Sequence, residues 1–144
     1  MRQIFTQKSS LFISLAVIVL LGIFLWPALK TSTHKSVSYD GFKTTSYELE
    51  GKNLKFLVAE TPAQWEKGLM YYRKLEGVSG MIFKFPDSSV RTFWNKNTYM
   101  DLKVYWINEG KVLGVSDLPS IEKSKKVVYI SSPANADTVI ELVQ

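Results

Sequence analysis

The 144-residue chain contains no cysteine. That one absence excludes disulfides, thiolate nucleophiles, cysteine-ligated zinc, iron–sulfur clusters and a lipidated cysteine anchor. Histidine is nearly as scarce: the only one, His34, lies in a short polar stretch beside the N-terminal apolar run. A folded domain further along therefore has no imidazole for Ser-His-Asp hydrolysis or for a histidine metal site. Surplus charge is missing too. The formal net charge is +5, but Arg2, Lys8, Lys30 and Lys35 precede Ser36 with no carboxylate among them. From Ser36 onward 14 basic side chains stand against 13 acidic ones. A nucleic-acid-binding domain concentrates positive charge on one face to displace counterions from phosphates. With almost none to concentrate, this chain is not expected to have a nucleic acid as its partner.

The basic residues instead flank a long hydrophobic run. Residues 11–29 read LFISLAVIVLLGIFLWPAL, uncharged, with only Ser14, Gly22 and Pro27 outside the hydrophobic set. As a helix at about 1.5 Å per residue the run is roughly 28 Å long, close to the thickness of a bilayer's hydrocarbon core. Trp26 and Pro27 near its far end suit the headgroup boundary. A cleaved signal peptide is the rival reading, but such peptides carry a shorter apolar region followed closely by a small-x-small site. Here Thr31-Ser32-Thr33 and Ser36-Val37-Ser38 are poor or distant candidates. The expectation is a tail over 1–10, a single-pass transmembrane signal anchor over 11–29, a Ser/Thr-rich linker over 30–41 and a domain over 42–144. Positive charges on both sides of the run make the positive-inside rule nearly neutral. A short N-terminal tail with the domain exported is the usual signal-anchor arrangement, which places the protein in the cell membrane with an extracytoplasmic domain.

The domain reads as mainly β. Short segments alternate with turn signals over 42–50, 54–60, 81–85, 90–98, 102–107, 112–115, 127–131 and 138–143. Gly51-Lys52-Asn53 marks one hairpin, and Asn108-Glu109-Gly110-Lys111 supplies residues that accept positive φ at another. Eight strands exceed what one half-solvated sheet usually holds, so the expected architecture is an antiparallel sandwich, jelly-roll-like, or a flattened barrel. One short α-helix interrupts the pattern. Thr61-Pro62-Ala63-Gln64 combines an N-cap hydroxyl, proline at the first helical position and glutamine at the capping-box position. Trp65, Leu69 and Tyr72 follow at helical spacing, so that face packs on the sheet. Gly68 on the same face costs about 1 kcal/mol relative to alanine and signals close backbone approach.

The densest unusual segment is Arg91-Thr92-Phe93-Trp94-Asn95-Lys96-Asn97-Thr98. If extended, it puts Arg91, Phe93, Asn95 and Asn97 on one face and Trp94, Lys96 and Thr98 on the other. Rings beside amides suit a polar, ring-shaped ligand such as a sugar. The plain alternative makes one ring core and uses the asparagines to satisfy backbone groups in a turn.

Three blocks, VAETPAQWEKGLMYYRKL, GMIFKFPDSSVRTFWNKNT and SSPANADTVIEL, occur in that order between Leu57 and Leu142. In these the chain resembles the domain of unknown function 192 family. The resemblance implies a small exported or membrane-anchored β-rich domain, jelly-roll-like with one short helix, and no settled activity. Gly68, Leu69, Met70, Arg73 and Leu75 match the family's first motif, while Tyr72 replaces a common second arginine. Arg91, Phe93, Trp94, Lys96, Asn97 and Thr98 match the second, and Asn95 stands where methionine is usual. Asp101 and Lys103 hold the places of a proline and an aspartate, so any role of that aspartate is lost here. Gln144 follows soon after Ile140-Glu141-Leu142, where many members continue into another strand. Either that strand is dispensable or its neighbour's edge is left open.

Arg73 and Arg91 are candidates to converge on an anion, since a guanidinium fork holds carboxylate or phosphate at two points. Pairing with local acids such as Glu76 or Asp87 is the alternative. Asp101 with Asp87, Glu109 or Asp117 offers a two-carboxylate site for glycosidic cleavage, though no spacing selects a pair. Lys123, Lys125 and Lys126 form a basic run read as solvated. The residues point to no catalytic group, metal-ligand set or cofactor. They point to a membrane-anchored, non-catalytic binding or accessory module for a glycan, peptide or small anionic ligand, with Arg73, Arg91, Trp94, Asn95, Lys96 and Asn97 as ligand-binding candidates. Two alternatives stand beside it: a carboxylate enzyme acting on an envelope polymer, and a structural partner of a membrane complex.

Overall fold

The computed structural model describes Tyr39 and residues 41–144. The tail, the apolar run over 11–29 and most of the expected linker lie outside the described residues. Among the described residues no helix is long and apolar enough to cross a membrane.

The chain runs β1 (Lys43–Leu49), β2 (Lys52–Ala59), α1 (Pro62–Lys67), β3 (Gly80–Ser89), β4 (Thr92–Trp94), β5 (Leu102–Asn108), β6 (Lys111–Leu118), α2 (Ile121–Ser124), β7 (Tyr129–Ser131) and β8 (Ala136–Val143). Both expected hairpins form, the second turning where the sequence puts it and the first one residue earlier, with Lys52 and Asn53 already in β2. Glu50 and Gly51 (φ 52° and 73°) join β1 to β2, and Glu109 and Gly110 (φ 49° and 74°) join β5 to β6. Positive φ at both central residues matches the right-handed twist of the flanking strands.

Six strands form one sheet in the order β1-β2-β3-β8-β5-β6, and β4 pairs with β7 in a separate two-stranded ribbon. The expected all-antiparallel sandwich is corrected here, because β2 and β3 run parallel, Leu57 opposite Met81 and Ala59 opposite Phe83. The physical reason is α1. Parallel neighbours need a crossover of a dozen or more residues, usually helical, and residues 60–79 with their capped helix are that crossover. A second short helix, α2, also departs from the expected single one. Ser120 caps it, its hydroxyl accepting from the Lys123 amide at 3.2 Å. The C-terminal strand β8 is paired on both sides, with β3 and with β5.

The sheet buries side chains on both faces. On one, Phe56, Ile82, Tyr105, Ile107 and Ile140 pack together. Glu50, in the β1–β2 turn, accepts a 2.7 Å hydrogen bond from the Tyr105 hydroxyl on β5. Strands lie about 4.8 Å apart and β2 is three places from β5, so this contact requires the sheet to curl toward that face. Burial, together with the Glu50 carboxylate, pushes the Tyr105 hydroxyl up to about 12. The other face carries the larger core, in which Trp106, Phe83, Met81 and Leu69 are buried, with Trp65 and Phe93 half-buried against it. Helix α1 and the β4–β7 ribbon lie over this face.

Candidate functional site: a cavity beneath α1

Local sequence chemistry fixes α1. Thr61 Oγ1 accepts from the Gln64 amide at 3.4 Å while Gln64 Oε1 accepts from the Thr61 amide at 3.2 Å, the reciprocal pair read from the sequence. The helix stops after Lys67, earlier than the spacing of Trp65, Leu69 and Tyr72 implies. Gly68 turns the chain at φ 45°, and a side chain there would lie 3.4 Å from the Phe83 ring. Leu69 and Tyr72 reach the core from beyond the helix rather than along it. Trp65 is held by its indole, which donates to the Ala59 carbonyl at 3.1 Å, and by Phe85, with ring centroids 4.9 Å apart.

Between α1 and β4 lies a cavity of about 360 Å³. Trp65 and Gly68 on one side and Phe93 and Trp94 on the other bound it, with Phe83 between them. That size falls at the lower end of the range for small-molecule sites, which are typically apolar with a few placed polar groups.

The placed polar group is Glu141. It stands on β8 opposite Met81 of β3 and Val104 of β5, in the middle of the sheet and on the same face as Val139. Only 4% of its surface is exposed, and one carboxyl oxygen is buried without any hydrogen-bond partner. Burial pushes its carboxyl up to about 8, so at neutral pH it is mostly the uncharged acid. Sequence reading passed over it. The available signal was one acid inside the apolar run Val139-Ile140-Glu141-Leu142-Val143, on the phase of a fully covered strand. Only the sheet order shows that position to be central.

The residues expected at a site are dispersed. Arg91 lines the cavity, but its guanidinium is engaged: Nε donates to the Ala136 carbonyl at 3.0 Å, NH2 pairs with Asp87 at 3.0 Å, and the group stacks 3.9 Å from the Phe85 ring centroid. It thereby fastens the irregular stretch of β3 between Lys84 and Ser89. The same pairing holds the Asp87 carboxyl below its usual range. Arg73 lies elsewhere, paired with Glu122 at 3.0 Å and stacked on Tyr99, beside a different groove. The two arginines therefore do not converge: Arg91 takes the nearby Asp87, and Arg73 takes Glu122, which is distant in sequence.

The segment 91–98 is not extended throughout. Strand β4 ends at Trp94 and Asn97 is left-handed, with φ 54°. Phe93 is the inward ring, edge-on to Phe83 at 4.8 Å and to Trp106 at 5.6 Å. Trp94 is 40% exposed and meets Tyr129 of β7 at 6.1 Å. Asn95 is fully buried: its amide donates to Pro119 O and Ser124 Oγ, both at 2.8 Å, and its oxygen accepts from the Val128 amide at 2.8 Å. All of that is a structural clamp. Asn97 donates to the Tyr71 hydroxyl at 2.9 Å, and Lys96 is exposed. Of the expected ligand residues, only Arg91 and Trp94 line the cavity.

Of the acids weighed for cleavage with Asp101, Asp117 lies near it, since Gln144 donates to the Asp101 carbonyl and to the Asp117 carboxylate, while Asp87 and Glu109 line a separate groove. Asp101 accepts from the Ser120 amide at 2.7 Å and from Lys123 at 2.8 Å, contacts that hold its carboxyl below the usual range, the Lys123 bond foremost. Asp117 accepts from Gln144 at 2.8 Å. Asp87 and Glu109 flank an open groove on the far side of Phe85.

The sequence matches the family model DUF192, described as "Uncharacterized ACR, COG1430", over residues 45–144. The chain belongs to the DUF192 family. Two crystal structures are similar to this DUF192 chain. One is of a candidate transcription regulator from Sinorhizobium meliloti 1021, 29% identical, with a TM-score of 0.56 over 74% of this chain and 83% of that one. The other, of a protein of unknown function from Novosphingobium aromaticivorans DSM 12444, is 21% identical, with a TM-score of 0.58 over 71% of this chain and 73% of that one. No curated protein matches the sequence.

Proposed function

We propose that this DUF192 chain is a non-catalytic binding module, tethered to a membrane by residues 11–29, that seats a small ring-shaped group in the cavity between α1 and β4. The observation that carries the reading is the pairing of a cavity lined by aromatic rings with a buried, unpartnered carboxyl group on its lining. A cavity walled by rings offers flat apolar area, and a single polar group deep inside it fixes orientation. The separate pairing of Arg73 and Arg91 takes away the geometric support for an arginine-clamped anion. The description of the Sinorhizobium protein as a candidate regulator finds no electrostatic counterpart, since 14 basic residues face 13 acidic ones from Ser36 onward.

Two measurements test the proposal. Indole N–H resonances of Trp65 and Trp94 are followed while a panel of aromatic and sugar fragments is added. Shifts at both, without shifts at the core residue Trp106, support the cavity; a panel that moves none of them refutes it. For the tether, alkaline carbonate extraction of membranes leaves the full chain in the pellet and releases a variant lacking residues 11–29. Release of both refutes anchoring.

A further inference from the structure

We propose that the cavity selects a ligand bearing an amine, whose ammonium group takes the unpartnered carboxyl of Glu141 as its acceptor. This rests on the cavity reading above and names the class of ligand.

The argument lies in which groups on the cavity already have partners. Among the described residues the other charged side chains lining it are Glu66 and Lys67 from α1 and Arg91 ahead of β4; β3 and β5 contribute none. Arg91 is committed to Asp87, to Ala136 O and to the face of Phe85. Lys67 sits over the rings of Phe42 and Tyr72, at 5.3 and 5.9 Å. Glu66 is exposed to water. Each positive group thus has its attraction met within the fold, and among the described residues the one buried side-chain polar atom left unmet is an oxygen of Glu141, whose side chain lines the cavity. A buried acceptor with no donor is costly, so such groups are nearly always satisfied, and a donor entering the cavity would satisfy this one. The walls point to the same charge. The rings of Trp65, Phe83, Phe93 and Trp94 line the cavity, and aromatic rings whose faces meet a cation attract it.

The proton balance follows. Before binding, the Glu141 carboxyl holds its proton at pH 7, because burial raises its ionisation to about 8. An incoming ammonium keeps its own three hydrogens. The carboxylic O–H bond breaks, its proton passes to the buffer, and the carboxylate accepts an N–H from the ligand. Binding of a neutral donor of the same shape releases nothing, since the acid stays protonated.

The test uses the full chain in a zwitterionic detergent with three probes of one shape: benzylamine, benzyl alcohol and benzoate. Affinities come from Trp65 and Trp94 resonance shifts at pH 7. Proton release comes from calorimetric titration in two buffers of different ionisation enthalpy. The expected result is benzylamine binding at least about ten-fold tighter than benzyl alcohol, benzoate weakest, and release of about one proton with benzylamine alone. Glu141→Gln removes both the preference and the release, while Glu141→Asp, which keeps the acid, keeps the release with weaker binding. Benzoate binding tightest, or benzylamine binding without proton release, overturns the amine assignment and leaves the cavity standing. Failure of all three probes to shift Trp65 and Trp94 overturns the cavity reading and the inference with it.

Discussion

Glu141→Gln is the perturbation whose size follows most directly from the structure. The carboxyl of Glu141 ionises near its ordinary 4.5 in the unfolded chain and near 8 in the fold, where burial disfavours the charge. Between those two pH values the folded state binds a proton that the unfolded state has lost. Unfolding stability therefore falls as pH rises, by about 1.4 kcal/mol per pH unit. Across the window the loss approaches about 5 kcal/mol, a large part of the stability of an ordinary domain. Below the window both states are protonated and above it both are ionised, so the effect levels off at each end. The other carboxyls shifted by the fold, those of Glu76, Asp87 and Asp101, are shifted down, so their dependence lies at lower pH. Glutamine keeps the shape without the titration. Its amide inherits the unpartnered position that the protonated acid already occupies, so the variant stays within about 1 kcal/mol of the wild type at pH 5 and is stronger at pH 8. The assay is urea unfolding of residues 36–144, which form one compact unit, at half-unit steps from pH 5 to pH 8. A wild-type stability that is flat or rises across this range, or a glutamine variant with the same slope, refutes the reasoning.

Other substitutions test other parts of the fold. Asn95→Ala strands the Val128 amide and the Pro119 carbonyl that the side chain satisfies; a loss of about 3 kcal/mol in urea unfolding is expected, and a loss under about 1 contradicts the clamp. Gly80→Ala places a methyl group 1.8 Å from the backbone oxygen of Glu141 on the paired strand. That overlap is expected to cost more than about 3 kcal/mol or to abolish soluble expression, and a variant of wild-type stability contradicts the β3–β8 register. Tyr105→Phe removes the bond to Glu50 across the curled sheet, worth about 1 kcal/mol at pH 7. Because Tyr105 ionises near 10 unfolded and about 12 folded, wild-type stability also falls as pH rises across that interval. Phenylalanine abolishes that part of the alkaline loss in a pH series of thermal melts.

The parts of this protein written in local sequence were legible without a structure. The two hairpin turns rest on Gly51 and Gly110, and the start of α1 rests on Thr61, Pro62 and Gln64; in each case the deciding interactions lie within a few residues. Gly68 was legible as a point of close approach, though not as the residue that ends the helix. Charge partition along the chain, the missing cysteine and the apolar run over 11–29 are equally sequence properties. Strand partnership is not. A capped helix between β2 and β3 is compatible with several layouts, and only long-range pairing made those strands parallel and set β8 between β3 and β5. The site depended on that choice. Arg73 and Arg91 looked alike as possible anion anchors, yet Arg91 took its sequence neighbour Asp87 and Arg73 took Glu122, which folding brought near, and Asn95 became a clamp because separate backbone segments met around it. Glu141 looked ordinary because an exposed edge position would have left it hydrated. A carboxyl group acquires unusual chemistry only when tertiary packing takes away its water, and the sheet order alone decided that it would.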